Sequence, residues 1–171
     1  MSIVVLISGS GTNLQAILDA GIPIKFVMSD NHNAYGLERA EKRNIPTLSQ
    51  PRLKSLEKSV TKLCKADNVD LIVLAGFMRL LTPGFVRKWK NKIINIHPSL
   101  LPAFKGAHAI KEAWEYGVKV TGVTVHYVNE QMDEGDIIVQ LEKSPTISLA
   151  SSLALDKQVE LALLSEFPEI K

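Results

Sequence analysis

The chain has 171 residues, 46% of them hydrophobic and 22% charged, with 20 basic and 18 acidic side chains and a formal net charge of +2. That balance suits one globular domain, excludes a wholly disordered chain, and gives little electrostatic support for binding duplex DNA or RNA. The single cysteine, Cys64, excludes an internal disulfide framework and a cysteine-rich zinc site, and is compatible with a reducing compartment.

Ile3 to Ile7 is a continuous β-branched and leucine run, the pattern of a strand covered on both faces. A Gly-rich turn, Ser8 to Asn13, leads into a helix over Leu14 to Ala20, which Gly21 stops. Ile22 to Met28 reads as a second strand, Ser29 to Asn33 as a turn, and Ala34 to Arg43 as a helix closed by Asn44-Ile45-Pro46. Leu53 to Ala66 is a third helix with a lysine-rich wet side. Asp70 to Ala75 is another buried strand. A short helix starts at Pro83, and Ile93 to Ile96 is a short strand ending at His97. Two prolines make Pro98 to Gly106 a loop, and His108 to Tyr116 is helical. Gly122 to Val128 and Asp136 to Leu141 read as an antiparallel strand pair, and Leu153 to Phe167 as a final amphipathic helix. The order predicts an α/β fold, a Rossmann-like doubly wound domain whose sheet is mostly parallel with helices on both faces. No apolar run reaches the roughly 20 residues of a membrane helix, and the apolar start lacks a basic flank. The cytosol is therefore the expected compartment, with no membrane or nucleic-acid partner.

Three motifs carry candidate chemistry. Gly11, Thr12 and Asn13 stand between a strand and a helix, where free amides and the helix dipole favour an anion; a tight turn with an N-cap is the alternative. The string is neither a P-loop nor the GxGxxG fingerprint. Asn95 and His97 lie two residues apart on an extended segment, so both side chains point one way. Beyond the carboxyl end of a strand they make a plausible oxyanion site, unless His97 only bonds the loop that follows. Asp133-Glu134-Gly135-Asp136 is an acidic turn whose charges are either solvated or, if Asp133 reaches His97, part of a proton relay. His32, His108 and His126 show no metal-ligand spacing, and no metal is expected.

Gly9-Ser10-Gly11-Thr12-Asn13-Leu14-Gln15-Ala16, Leu74-Ala75-Gly76-Phe77-Met78-Arg79-Leu80-Leu81, Asn95-Ile96-His97-Pro98-Ser99-Leu100-Leu101-Pro102 and Met132-Asp133-Glu134-Gly135, in this order, resemble the folate-dependent phosphoribosylglycinamide formyltransferase family. The resemblance runs from residue 2 to about residue 148 and implies one formyltransferase domain over 1–171. It implies transfer of the formyl group of 10-formyltetrahydrofolate, the co-substrate, to the amine of glycinamide ribonucleotide in purine synthesis. Asn95, His97 and Asp133 would be catalytic, and Gly11, Thr12 and Asn13 would hold the phosphate. Folate would meet Lys54, Met78, Arg79, Leu80, Leu81, Asn95, Asn129, Glu130, Gln131, Met132 and Asp133. Lys157 and Glu160 would contact the ribonucleotide from the last helix, where Leu161 replaces the family's usual His. The Leu101–Pro102 peptide would be cis, and the protein a monomer or homodimer.

Related activities differ in what they require. Methionyl-tRNA formyltransferases add a basic C-terminal domain for which this chain leaves no room. Formyltetrahydrofolate hydrolases add an N-terminal domain, although Phe104-Lys105-Gly106-Ala107 leans towards them. A sugar-nucleotide formyltransferase fits the loop at Gly11 less well. A weakened folate- or ribonucleotide-binding homologue is the alternative outside catalysis.

Overall fold

A computed structural model of the chain describes residues 2–143. The expected helix over Leu153 to Phe167, and with it Lys157 and Glu160, lies outside the described residues. The elements are β1 (Ile3–Ile7), α1 (Thr12–Asp19), β2 (Ile24–Ser29), α2 (Tyr35–Glu41), β3 (Thr47–Ser49), α3 (Leu53–Ala66), β4 (Leu71–Leu74), α4 (Pro83–Lys88), β5 (Ile93–His97), α5 (Ala109–Tyr116), β6 (Thr121–Tyr127) and β7 (Ile137–Lys143).

All five residues of β1 are buried because the strand is covered on both faces. Ile3, Val5 and Ile7 join a core with Leu14 and Ile17 of α1 and Leu37 and Ala40 of α2. Val4 and Leu6 join the opposite core, with Leu56, Val60 and Cys64 of α3 and Phe85 of α4. Each of the Val, Leu, Ile and Phe side chains among them contributes roughly 1.5–3 kcal/mol when fully buried. Burial pushes the Cys64 thiol up to about 11, with Asp67 adding to the rise, which makes it a core residue rather than a reactive one.

The seven strands lie in the order β3-β2-β1-β4-β5-β6-β7. Strands β1 to β5 run parallel, and β6 and β7 are antiparallel to their neighbours. The chain winds from β1 to β3 on one side and returns as β4 on the other. The crevice where ligands bind in such sheets therefore opens beyond the carboxyl ends of β1 and β4.

Local chemistry shifts several boundaries. α1 begins at Thr12 rather than Leu14, because Gly11 takes a left-handed conformation (φ 70°) and serves as its N-cap. β2 starts at Ile24, after Pro23, and α2 ends at Glu41 instead of Arg43. β3 was not expected: three residues after Pro46 are too short for a periodic signal, and pairing with Val27–Ser29 creates the strand. α4 starts at Pro83 as expected. Thr82 caps it, and the buried Glu57 carboxylate accepts bonds from the Thr82 amide (2.6 Å) and hydroxyl (2.7 Å). The Leu101–Pro102 peptide is cis, as the resemblance implies.

Candidate active site

β5 ends between β4 and β6, and its side-chain alternation turns Asn95 and His97 to one side. Antiparallel register sets His126 of β6 directly across from Asn95, and Thr124 across from His97. His97 and His126 are only 4% and 2% exposed, so each imidazole depends on protein partners.

Asp133 supplies the common partner. It stands in the turn between β6 and β7 with a left-handed φ of 54°, uncommon for a residue with a side chain. That conformation carries its carboxylate into the cluster. Oδ1 accepts from Asn95 Nδ2 at 3.4 Å and lies 3.6 Å from His126 Nε2. Oδ2 accepts from the Gly106 amide at 2.8 Å and lies 3.5 Å from His97 Nδ1. The His126 contact does most to push the Asp133 carboxyl from 3.8 down to about 2; the Gly106 amide and His97 add to the shift while burial opposes it. Asp133 is thus a carboxylate throughout the physiological range.

The sequence left open whether His97 bonds its own loop or meets the carboxylate, and the structure shows both. Its Nε2 is 2.8 Å from the Phe104 carbonyl, which can only accept, so Nε2 carries a proton and Nδ1 faces Asp133. The loop that supplies this carbonyl is strapped down. Ser99 Oγ donates to the Ala103 carbonyl (2.6 Å), Thr124 Oγ1 donates to the Ser99 carbonyl (2.7 Å), and Gln140 Nε2 donates to the Leu101 carbonyl (2.8 Å).

His126 is the site residue that sequence reasoning passed over. Its Nδ1 lies 3.0 Å from the Tyr127 carbonyl, which can only accept, while its Nε2 faces both Asn95 Nδ2 at 3.2 Å and Asp133 Oδ1 at 3.6 Å. Alternation along β6 gave its face, but only the register of β6 against β5 gives its partner. The Asn95, His97 and His126 contacts to Asp133 span 3.4–3.6 Å. Contacts this long are loose enough for a reacting oxygen to draw the donors towards itself.

The other expected site residues fall around the same end of the sheet. Gly11, Thr12 and Asn13 follow β1, and their amides have no protein acceptor among the described residues. Met78 to Leu81 follow β4. The Met78 amide donates to Ser8 Oγ (2.8 Å), which donates to Asp30 Oδ1 (2.6 Å), so this amide is committed to the protein. Asp30 also pairs with Arg79 at 3.7 Å. Lys54 is exposed in the first turn of α3. Asn129 to Met132 form the exposed turn before Asp133. Glu130 there pairs with Arg87 of α4 at 3.0 Å, while Gln131 donates its amide to Asn129 Oδ1 at 2.9 Å. Leu101, Pro102, Lys105, Asp133, Glu134, Gly135 and Ile137 line a cavity of about 310 Å³ beside the cluster. Among the described residues, no three His, Cys, Asp or Glu side chains are grouped so as to hold a metal ion.

Residues 1–160 match the family model described as Formyl transferase. The chain belongs to the formyl transferase family. Within it, the chain is 44% identical over 149 residues to a phosphoribosylglycinamide formyltransferase of Haemophilus influenzae, covering 81% of this chain and 70% of that one. It is also 44% identical, over 178 residues, to the trifunctional purine biosynthetic protein adenosine-3 of Chironomus tentans. That match takes in 96% of this chain but only 13% of the relative, so the chain spans a small part of such trifunctional proteins. A crystal structure of phosphoribosylglycinamide formyltransferase from Anaplasma phagocytophilum superposes with a TM-score of 0.82 at 39% identity, covering 99% of this chain and 84% of that one. The formyl transferase fold therefore accounts for the strand order, while the cluster around Asp133 is where this chain's own side chains converge. No helix among the described residues is long and apolar enough to cross a membrane.

Proposed function

We propose that this chain transfers the formyl group of 10-formyltetrahydrofolate to the amine of glycinamide ribonucleotide, with Asn95, His97 and Asp133 as the catalytic residues. The observation that carries the reading is the convergence of Asn95, His97 and His126 on the one carboxylate of Asp133, two strands away from a loop of unpaired amides. Two strand spacings are roughly 10 Å, which suits a ribonucleotide with its phosphate at the β1 loop and its amine near Asp133. The amides of Gly11, Thr12 and Asn13 bind the phosphate, and the amino end of α1 adds its dipole.

In this reading folate lies against Met78 to Leu81, with Lys54 towards its acidic tail and Asn129 to Met132 over the pterin. The neutral amine attacks the formyl carbon, a C–N bond forms, and the carbonyl electron pair moves onto oxygen. Asn95 Nδ2 and a proton on His97 Nδ1 stabilise that oxyanion. Asp133 accepts the proton that the attacking nitrogen gives up, His97 delivers its Nδ1 proton to N10 of the folate, and the proton on Asp133 then returns to Nδ1 across their shared contact. The carbonyl re-forms as the C–N10 bond breaks, leaving a formamide and tetrahydrofolate. Lys157 and Glu160 are proposed as further ribonucleotide contacts.

The test is the rate of tetrahydrofolate release as glycinamide ribonucleotide is added at fixed formyl-folate. The rate is expected to rise hyperbolically from near zero. A rate independent of the ribonucleotide, with formate as product, would make the chain a hydrolase. Binding of both molecules without turnover would make it the weakened homologue.

A further inference from the structure

We propose that Arg39 is a positioning residue for the substrate phosphate, aiming the Gly11 amide into the cleft through the carbonyl of Ser10. The inference rests on the phosphate reading of Gly11, Thr12 and Asn13 given above. In a trans peptide the carbonyl of one residue and the amide of the next point in opposite directions. Fixing a carbonyl therefore fixes where the following N–H points.

The loop holds three such carbonyls in succession. The Gly9 carbonyl accepts from the Gly36 amide at 3.1 Å, the Ser10 carbonyl from Arg39 Nε at 2.8 Å, and the Gly11 carbonyl from the Gln15 amide at 2.9 Å. Gln15 belongs to α1 itself, but Gly36 and Arg39 belong to α2, which packs behind the loop. Contact there is close enough to require glycine on both sides. A Cβ on Gly11 would lie 2.5 Å from Gly36 Cα, and a Cβ on Gly36 would meet Gly11 Cα and the Ile7 side chain.

The Arg39 side chain is itself held in place. Nη1 donates to Gln15 Oε1 at 2.9 Å, and the guanidinium lies over the Tyr35 ring with Cζ 4.9 Å from its centroid. One planar fork thus ties the Ser10 carbonyl to the first turn of α1, and an ammonium cannot reproduce that geometry. Arg39 also places a fixed positive charge behind the anion site. The Ser10 bond links residues 29 apart in sequence.

The experiment compares glycinamide ribonucleotide with its dephosphorylated ribonucleoside in wild type, Arg39→Ala and Arg39→Lys. Wild type should strongly prefer the phosphorylated substrate. Both variants should raise the KM for the ribonucleotide roughly 10- to 100-fold, the scale of a misplaced binding group, and narrow the preference. Turnover at saturation and the KM for formyl-folate should stay within about twofold of wild type. A wild type that does not distinguish the two substrates sinks the phosphate reading and this proposal with it. A wild-type preference that both variants keep in full overturns only the role of Arg39. So does recovery of wild-type KM by Arg39→Lys, which would assign the effect to charge alone. An equal rise in the folate KM would show general damage to the cleft and also count against it.

Discussion

His97→Ala and Asp133→Ala each lower turnover by about 10²- to 10³-fold, the loss typical when a donor to a developing oxyanion, or the carboxylate that positions it, is removed. The double variant loses far less than the product of the two. Nε2 of His97 is committed to the Phe104 carbonyl, so the ring works through Nδ1, which faces Asp133. Groups that work as a unit are strongly non-additive. Formyl-folate still binds in all three variants, as read by fluorescence titration. Fully multiplicative losses would separate the two residues and leave Asp133 a structural turn residue. The lowered Asp133 pKa adds a pH expectation. Its carboxyl is held at about 2, chiefly by His126, so no activity limb between pH 4 and 6 belongs to its protonation. The sign for stability follows from the same shift. Native-state stability due to this carboxylate is fully present above its ordinary value of 3.8 and is lost as pH falls through about 2.

Gly11→Ala raises the KM for the ribonucleotide by at least about tenfold and leaves the folate KM nearly unchanged. Two physical costs coincide at this residue. A φ of 70° disfavours any side chain by roughly 1–2 kcal/mol, and the added methyl meets the backbone of Gly36 at 2.5 Å. Backbone cannot rotate away as a flexible side chain would, so the loop or α2 must shift and the amides move with it. The direction of the clash sets the selectivity, because a Cβ on Gly11 meets Gly36 of α2, whereas Met78 to Leu81 follow β4. Steady-state kinetics with each substrate varied in turn checks it. Equal rises in both constants would remove the phosphate assignment from Gly11.

How much of this was legible in the sequence depends on the range of each interaction. β1 could be read because five consecutive apolar residues on a doubly covered strand are a local signal. The loop at Gly11 and the pair Asn95 and His97 were legible for the same reason, since a turn and a two-residue spacing are local. β3 was not, because three residues carry no period. The meeting of Asp133 with His97 was open until the antiparallel β6 and β7 brought their turn back over β5. His126 was missed because its role comes from register, and nothing in Val125-His126-Tyr127 specifies Asn95 as the residue opposite. Arg39, Ser8 with Asp30, and Glu57 with Thr82 were also invisible: each links elements that only the folded sheet makes neighbours.

Direct transfer within one ternary complex is the central claim, and a rapid-quench single turnover with formyl-labelled 10-formyltetrahydrofolate tests it most directly. Without ribonucleotide, the label should stay on the folate, with none on the protein and none released as formate. Addition of glycinamide ribonucleotide should move the label to its amine in one exponential phase, slowed by orders of magnitude in His97→Ala. Label bound covalently to the protein, or formate released at the same rate with or without the amine, would contradict it.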